Sequence, residues 1–223
     1  MRLSAVVLAR VFLFVESVDL NPRGAAFYPE LTRALVERYN FQKFPQKYEQ
    51  FDETKGVTFE MGRIDGKSIQ KVVINPHGLS LDTTSATQDS EAILEDALSW
   101  ASKTLGIVYR REMVKRKTYA SQFTFYSDVP LLHINPVLEA LSEEVCRVVA
   151  ENLKLPTVIE PTAILLGQDP EAQRIPVFPF SIERRQSIAF SEGKYFSSAP
   201  LPTDKHIAVV EKFEKSIMEQ RKK

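Results

Sequence analysis

Two tight-turn signals that follow each other closely constrain the fold of this chain more than any other feature. Asp65-Gly66 tolerates positive φ at both central positions of a two-residue type I′ turn. Asn75-Pro76-His77-Gly78 then places proline and glycine where a second reversal needs them. The sequence therefore predicts three antiparallel strands in a meander over Gly56–Ser85.

A two-residue loop fixes the register of the meander, because it pairs Ile64 with Lys67. The same register sets Met61 opposite Gln70, and Lys71 between Glu60 and Asp82 on the other face. That second face is expected to be solvated or to bind a ligand. The first face is expected to be apolar and to include Val57, Phe59, Met61, Val72, Ile74, Leu79 and Leu81.

The segments around the meander predict one more strand and two helices. Val6–Val15 is apolar on both alternating sides except at Arg10, which is typical of a central strand covered on both faces. Pro29 opens a short helix. An apolar stripe from Ile93 to Ala101 predicts a longer helix that is capped by Asp89 or Ser90 and ended by Gly106.

The second half of the chain repeats this order. Strands are predicted over Gln122–Tyr126, over Thr162–Gly167 and on both sides of the Glu192-Gly193 turn, and the last helix over Asp204–Met218. A strong helix over Val137–Leu153 is expected to turn one apolar stripe toward the core. That stripe consists of Leu138, Leu141, Val145, Val148 and Val149.

These elements predict an α+β fold made of a tandem pseudo-repeat of β-α-β-β-β-α. The repeats form a mainly antiparallel sheet with helices packed on one face, and an offset of 115 lays Gly78 on Gly193 and Asp89 on Asp204. The halves span residues 1–106 and 119–219, form one continuous domain, and are followed by a basic tail at 220–223. Sequence identity between the halves is slight, so a coincidence of similar elements is the alternative to a true duplication.

The composition of the chain limits the classes of protein to which it can belong. The 223 residues, 43% of them apolar, can bury one good core or two small ones. The 29 basic and 29 acidic residues leave no net charge and imply no general affinity for nucleic acid or anionic membranes. The single cysteine, Cys146, excludes an internal disulfide, and the apolar start from Ala5 to Val15 is too short to span a bilayer. We therefore expect a cytoplasmic protein with no membrane partner.

The usual signatures of catalysis are weak in this sequence. It has no glycine-rich phosphate loop and no G-x-S-x-G elbow. The acid-x-Lys spacing of metal-dependent nucleases occurs twice, at Asp65–Lys67 and Glu192–Lys194, but on turns rather than on a strand beside a second acid. Cys146 is expected to be a small buried hydrophobe, and the three scattered histidines to be structural or surface residues. We predict no catalytic residue, no metal site and no cofactor.

The leading functional hypothesis is a non-catalytic binding or scaffold subunit of a multi-protein assembly, which acts through protein–protein contacts. Its partner is one or more proteins, in a hetero-oligomeric complex. A polar, aromatic-rich segment between residues 40 and 53 is the predicted anchor, because aromatic side chains dominate interface energetics. The predicted partner-binding residues are Tyr39, Phe41, Phe44, Tyr48 and Phe51.

Two alternatives remain open. The first is a nucleic-acid-binding module, because basic residues lie between Tyr109 and Tyr119, and aromatic neighbours can stack bases; a solvated charged sheet edge is the simpler interpretation. The second is a metal-dependent hydrolase or nuclease that uses Glu60, Asp65 and Asp82. The nucleic-acid alternative assigns binding to Arg110, Arg111, Lys115, Arg116, Lys117, Arg184 and Arg185.

Overall fold

The computed structural model describes residues 1–22, 24, 26–171 and 177–221, with the side chains of residues 48 and 53 excepted. Lys222 and Lys223 of the predicted tail lie outside this range. The described chain is α+β, as the sequence predicts, with an eight-stranded antiparallel sheet and five α-helices, one more than the four predicted. The strands are β1 (Arg2–Phe14), β2 (Val57–Ile64), β3 (Lys67–Asn75), β4 (Gly78–Thr83), β5 (Arg116–Tyr126), β6 (Ala163–Leu166), β7 (Phe180–Arg184) and β8 (Lys194–Ala199). The helices are α1 (Ser17–Leu20), α2 (Tyr28–Tyr39), α3 (Thr87–Thr104), α4 (Pro136–Leu153) and α5 (Thr203–Gln220).

The chain forms two compact units. The larger unit comprises Val6–Gln122 and Pro200–His206, and the smaller unit comprises Met1–Ala5, Phe123–Ala199 and Ile207–Lys223. Strands β1 and β5 and helix α5 each contribute residues to both units. The division of the chain into two sequence halves at residues 106 and 119 stays a prediction.

In the larger unit the strands follow the order β2-β3-β4-β1-β5. The predicted register of the meander is confirmed: Ile64 pairs with Lys67, and Lys71 lies between Glu60 and Asp82. Both turn residues of the hairpin, Asp65 and Gly66, have positive φ.

The meander departs from simple alternation at Met61. Met61 has a φ of 58° and an exposed side chain, and the pairing of β3 with β4 shifts between Ile69 and Lys71. As a result Ile69 is fully buried, where alternation would have placed Gln70. The expectation that Met61 belongs to the apolar face is therefore wrong, because a local irregularity turns it outward.

Helix α3 covers the core of the larger unit with the predicted stripe, since Ile93, Leu94, Leu98 and Ala101 are buried. The helix begins earlier than expected. Its N-cap position is Ala86, so neither Asp89 nor Ser90 caps it.

At the starts of α3 and α5, a threonine hydroxyl of each helix accepts a hydrogen bond from an amide of the other. The Thr87 amide donates to Thr203 Oγ1 at 3.0 Å, and the Thr203 amide donates to Thr87 Oγ1 at 2.8 Å. Both threonines are buried and belong to the larger unit. Each hydroxyl thus accepts from a helix-start amide that lacks an intrahelical partner.

The only tryptophan, Trp100, lies on α3 against the end of α2. Its ring meets the ring of Tyr39 edge-on at 6.5 Å, and the Arg38 guanidinium lies over it at 4.8 Å. This aromatic contact belongs wholly to the larger unit.

The smaller unit has the strand order β5-β8-β7-β6. Its core is built mainly from Phe123, Phe125, Ile182 and Tyr195, with the Phe125 and Tyr195 rings stacked 5.5 Å apart. Strand β6 is the last strand in that order and pairs only with β7 among the described residues.

Candidate protein-interaction surface

Helix α4 turns its apolar stripe outward. None of its residues is buried, and Val137 and Leu141 are 75% and 58% exposed. The expectation that the stripe faces the core is therefore wrong. Its exposed members share one side of the helix, at spacings of three and four residues, and form what we call the α4 face: Val137, Leu138, Leu141, Val145 and Val148.

The opposite side of α4 holds the helix against the protein. Cys146 Sγ donates to the Thr157 carbonyl oxygen at 2.7 Å, and Glu139 lies 3.6 Å from His133. A pocket of about 410 Å³ lies between this side and residues 157–161. Because its attachments are on the polar side, the helix has its amphipathic pattern inverted, with apolar residues toward solvent.

Local interactions explain why α4 forms without burying its apolar stripe. Asn135 caps the helix by accepting from the Val137 amide at 2.9 Å, and Pro136 occupies the first turn. Arg147 bridges Glu144 and Glu151 at 2.6 and 2.7 Å. The hydrogen bonds from Arg147 lower the pKa of Glu144.

Further exposed apolar side chains follow α4 in the same unit. Leu155 and Val158 lie in the segment after the helix, and Leu165 and Leu166 lie on strand β6. All four are well over half exposed. Monomeric proteins rarely leave large contiguous apolar patches in water, so surfaces of this kind mark interaction sites.

Helix α4 carries four glutamates, at positions 139, 143, 144 and 151, against the single arginine at 147. Glu139 and Glu143 lie on the side opposite the apolar face. Glu144 and Glu151 flank the face, three residues after Leu141 and Val148, and both pair with Arg147. A partner that covers the face would gain from basic residues that meet these two glutamates at the rim of the contact.

Arg184 lies in a buried polar cluster of the smaller unit rather than on its surface. Its side chain is 8% exposed and pairs with Glu160, which also meets His133 at 3.1 Å. Its guanidinium lies 4.3 Å above the Phe190 ring. Of the described buried side-chain atoms, Arg184 Nε has no hydrogen-bond partner. Arg184 is therefore not accessible to a nucleic acid, whereas Arg185 is exposed.

The predicted aromatic anchor is only partly on the surface. Tyr39 and Phe41 are buried, so the expectation that they are exposed is wrong. The Phe41 ring packs on Phe59 at 5.4 Å and occupies the space that a side chain at Gly62 would take. Phe44 and Phe51 are half-buried, and the Tyr48 side chain lies outside the described residues. Partner binding by this segment stays a prediction.

Tyr39 is held from both sides. Its hydroxyl donates to Asp96 at 3.0 Å and accepts from Arg38 at 3.2 Å. Burial raises the pKa of Tyr39 to about 12. The residue therefore serves the core and the α2–α3 contact.

The central basic cluster is largely paired with acids. Lys117 lies 2.7 Å from Glu91 and 3.3 Å from Glu95, and Arg111 also reaches Glu95 at 3.4 Å. Lys115 pairs with Glu16 at 3.2 Å. The bond to Glu91 raises the pKa of Lys117. For Glu95, burial works to raise the pKa, but hydrogen bonds from Tyr109 and Lys117 outweigh it and lower the pKa. Arg110 and Arg116 are exposed.

Of the residues of the hydrolase alternative, Asp65 lies on the hairpin turn, whereas Glu60 and Asp82 lie on either side of Lys71, which pairs with Glu60 at 3.5 Å. Lys67 bonds to Asp89 at 2.6 Å rather than to Asp65, and Lys194 lies over the Tyr126 ring at 5.1 Å. Asp82 is held by Arg10 through two hydrogen bonds of 2.7 and 2.6 Å. Arg10, the exception in its strand, thus has a structural partner that the sequence did not reveal.

The described residues contain neither a candidate metal site nor a helix that could span a membrane. No group of three or more histidine, cysteine, aspartate or glutamate side chains there could hold a metal ion. No helix among them is long and apolar enough to cross a membrane. Comparison with known proteins matches the chain to no protein-family model and to no curated sequence.

The outward direction of α4 could not be read from its periodicity, because an amphipathic pattern gives a stripe and not the side that meets the core. The side opposite the apolar face carries Cys146 and Ala150, which are small enough to approach other chain segments closely. Small residues opposite an apolar stripe are compatible with either orientation.

Proposed function

We propose that this protein is a non-catalytic binding or scaffold subunit that acts through protein–protein contacts. The α4 face carries the proposal, because it is an amphipathic helix whose apolar side is turned to solvent. The proposed partner offers a groove that receives this helix, the mode in which anchors at i, i+4 and i+7 are buried together.

The size of the face is suited to such an anchor. Burying a fully exposed Val or Leu side chain contributes about 1.5–3 kcal/mol, so each half-exposed member contributes about 1 kcal/mol. Five members then supply about 5 kcal/mol before the costs of association. The neighbouring Leu155 and Val158 would have to join the contact for tight binding.

The charge of α4 restricts the kind of groove that the proposed partner can offer. The excess of glutamate on α4 favours a groove with an apolar floor and lysine or arginine at its rim. The aromatic segment remains a proposed second contact through Phe44 and Phe51, the half-buried members of that set.

The first test compares two charge-matched variants. Val137→Glu with Leu141→Glu places two carboxylates in the α4 face, and Val18→Glu with Val108→Glu places two on exposed apolar positions of the larger unit. Each tagged protein is purified gently from its host and analysed by native mass spectrometry. We expect a stoichiometric protein partner with wild type and with the control pair, and its loss with the α4 pair.

Other outcomes are equally informative. A partner retained by the α4 pair contradicts the assignment to this face, and the same experiment with Phe44→Ala and Phe51→Ala then tests the aromatic segment. A wild-type protein with no bound partner contradicts the proposal. A homodimer that only the α4 pair abolishes makes the partner a second copy of the chain.

Nucleic-acid binding through the basic cluster is the alternative proposal, and the structure offers it less support. Three of its five central residues, Arg111, Lys115 and Lys117, are engaged with glutamates. Arg110, Arg116 and Arg185 remain for phosphate contacts. Such binding must weaken steeply with salt, which an affinity measurement at two salt concentrations would detect.

We also infer that the chain arose by duplication. Element order supports this, because β1–α2–β2–β3–β4–α3, with the four-residue helix α1 left out, is followed by β5–α4–β6–β7–β8–α5. The reciprocal bonds between Thr87 and Thr203 add a second indication, since both residues are the first of their helices, at an offset of 116 that is one residue more than the 115 of the sequence comparison. Gln88 and Asp204 also pair, at 2.7 Å.

The compartment is part of the proposal as well. A chain with one cysteine gains nothing from an oxidising environment, so we propose that the protein works in the cytoplasm. Fractionation of the host with a tagged chain tests this directly.

A further inference from the structure

An apolar cavity lies within the larger unit, between helices α2 and α3 and the inward face of the meander. Its volume is about 100 Å³. Phe59, Ile69 and Leu81 line it from the strands, Leu35 from α2 and Leu94 from α3. All of these except Leu35 are buried, so the cavity belongs to the interior of the unit.

Three polar residues that line the cavity lie close together in the chain. Ser17, Asn21 and Tyr28 come from α1, the residue after it and the start of α2. All three are half-buried, whereas Phe59, Ile69 and Leu81 are buried, so the polar residues lie nearer to solvent than these three strand residues do. The Asn21 side chain already bonds the backbone of Ala26, at 3.0 and 3.1 Å.

The deeper part of the cavity offers no support for water. A buried water needs two to four polar partners. Tyr39 also lines the cavity, but its hydroxyl is engaged by Asp96 at 3.0 Å. An apolar protein cavity of about 150 Å³ lined by similar side chains stays dry and takes up benzene. The cavity of this protein has about two thirds of that volume, so it suits an apolar group no larger than benzene.

We propose that this cavity binds a small apolar molecule, or the short alkyl or aryl end of an amphipathic one. The apolar group lies among Phe59, Ile69 and Leu94, and any polar end lies beside Ser17, Asn21 and Tyr28. This site shares no residue with the α4 face and does not rest on the proposed function.

Benzene is the probe, and two variants of α3 provide the contrast. Ala97 lines the cavity, so Ala97→Leu fills part of it, whereas Ala92 is exposed and Ala92→Leu makes the same change of side chain on the outside. Thermal unfolding of the full chain is followed with and without benzene. A ligand that binds the folded state raises the unfolding temperature. We expect that rise in wild type and in Ala92→Leu, and its loss in Ala97→Leu.

A second measurement does not depend on the variants folding. In wild type, benzene should give nuclear Overhauser contacts to the methyl groups of Ile69 and Leu94. A wild-type protein with neither a rise nor these contacts overturns the proposal, and so does an equal rise in all three proteins, because the benzene would then bind elsewhere.

Discussion

His206 shows how one buried side chain controls stability. It is fully buried, and its Nδ1 lies 2.8 Å from Ser121 Oγ. Burial lowers the pKa of His206 to about 4, because the interior disfavours the imidazolium. The unfolded chain takes up this proton near the ordinary pKa of 6.5, but the folded protein does not. Stability is therefore fully present above pH 6.5 and is lost as pH falls toward 4.

The prediction for His206 is a pH-dependent stability that a substitution removes. A shift of this size corresponds to about 3 kcal/mol of unfolding free energy between pH 6.5 and 4. His206→Gln keeps hydrogen-bonding groups but cannot titrate, so its unfolding free energy should vary less over that window. Urea denaturation at several pH values measures the difference. Equal pH dependence in both proteins between pH 6.5 and 4 would contradict this assignment. The carboxylates of Asp89 and Glu95 do not account for it, because their pKa values are lowered and their contribution is lost mainly below their ordinary values of 3.8 and 4.5.

Glycine shows what the sequence can and cannot predict at this scale. Gly66 was expected to adopt positive φ, and it does. Gly78 was expected to serve the chain reversal, but its requirement is different: any side chain there would clash with the Leu13 carbonyl oxygen and the Phe12 ring. The residues of a turn predict its backbone conformation, because that conformation is local. The close approach of β1 to β4 is a tertiary contact, which a single sequence does not predict.

At the scale of elements, α3 and α5 depend on one another through their starts. In the Thr87–Thr203 pair, neither hydroxyl accepts from an amide of its own helix. Each accepts instead from the threonine amide of the other helix. The sequence predicted both helices but placed the first cap of α3 at Asp89 or Ser90, because capping preferences describe one helix at a time.

We predict that Thr87→Ala and Thr203→Ala each lower the unfolding free energy by about 1–2 kcal/mol, because each leaves one buried amide without an acceptor. Thr104→Ala is the matched control. Its hydroxyl bonds the Trp100 carbonyl at 2.8 Å near the exposed end of α3, where the change should cost less than about 0.5 kcal/mol. Chemical denaturation of the three variants tests this. Costs at Thr87 or Thr203 no larger than that at Thr104 would contradict it.

Elements with a core contact and elements without one differed in how well they could be predicted. The buried faces of the meander, apart from Met61, and of α3 were predicted correctly, because turn type and apolar period both specify them. Helix α4 was placed within a residue of its observed ends but facing the wrong way. Periodicity constrains an element's own conformation, while its direction depends on what else the chain supplies to cover it.

For the whole molecule, the exposed α4 face acts together with a net charge of zero. Proteins without net charge lack the repulsion that keeps apolar patches apart. We therefore predict that Val137→Glu with Leu141→Glu raises the ammonium sulfate concentration needed for precipitation. Val18→Glu with Val108→Glu adds the same charge elsewhere and should raise it less. An equal rise for both pairs would assign the effect to charge alone.

Trp100 belongs to the larger unit and Cys146, the single thiol, to the smaller one. The chain therefore carries one tryptophan, which can be excited apart from the seven tyrosines, and one thiol for a dye, in different units. Tryptophan emission will report the loosening of α2 from α3. A dye on Cys146 replaces the thiol hydrogen bond to Thr157, and will report changes in the surroundings of α4. Recorded together during one denaturation or one titration, the two signals distinguish events in the two units without any engineered residue.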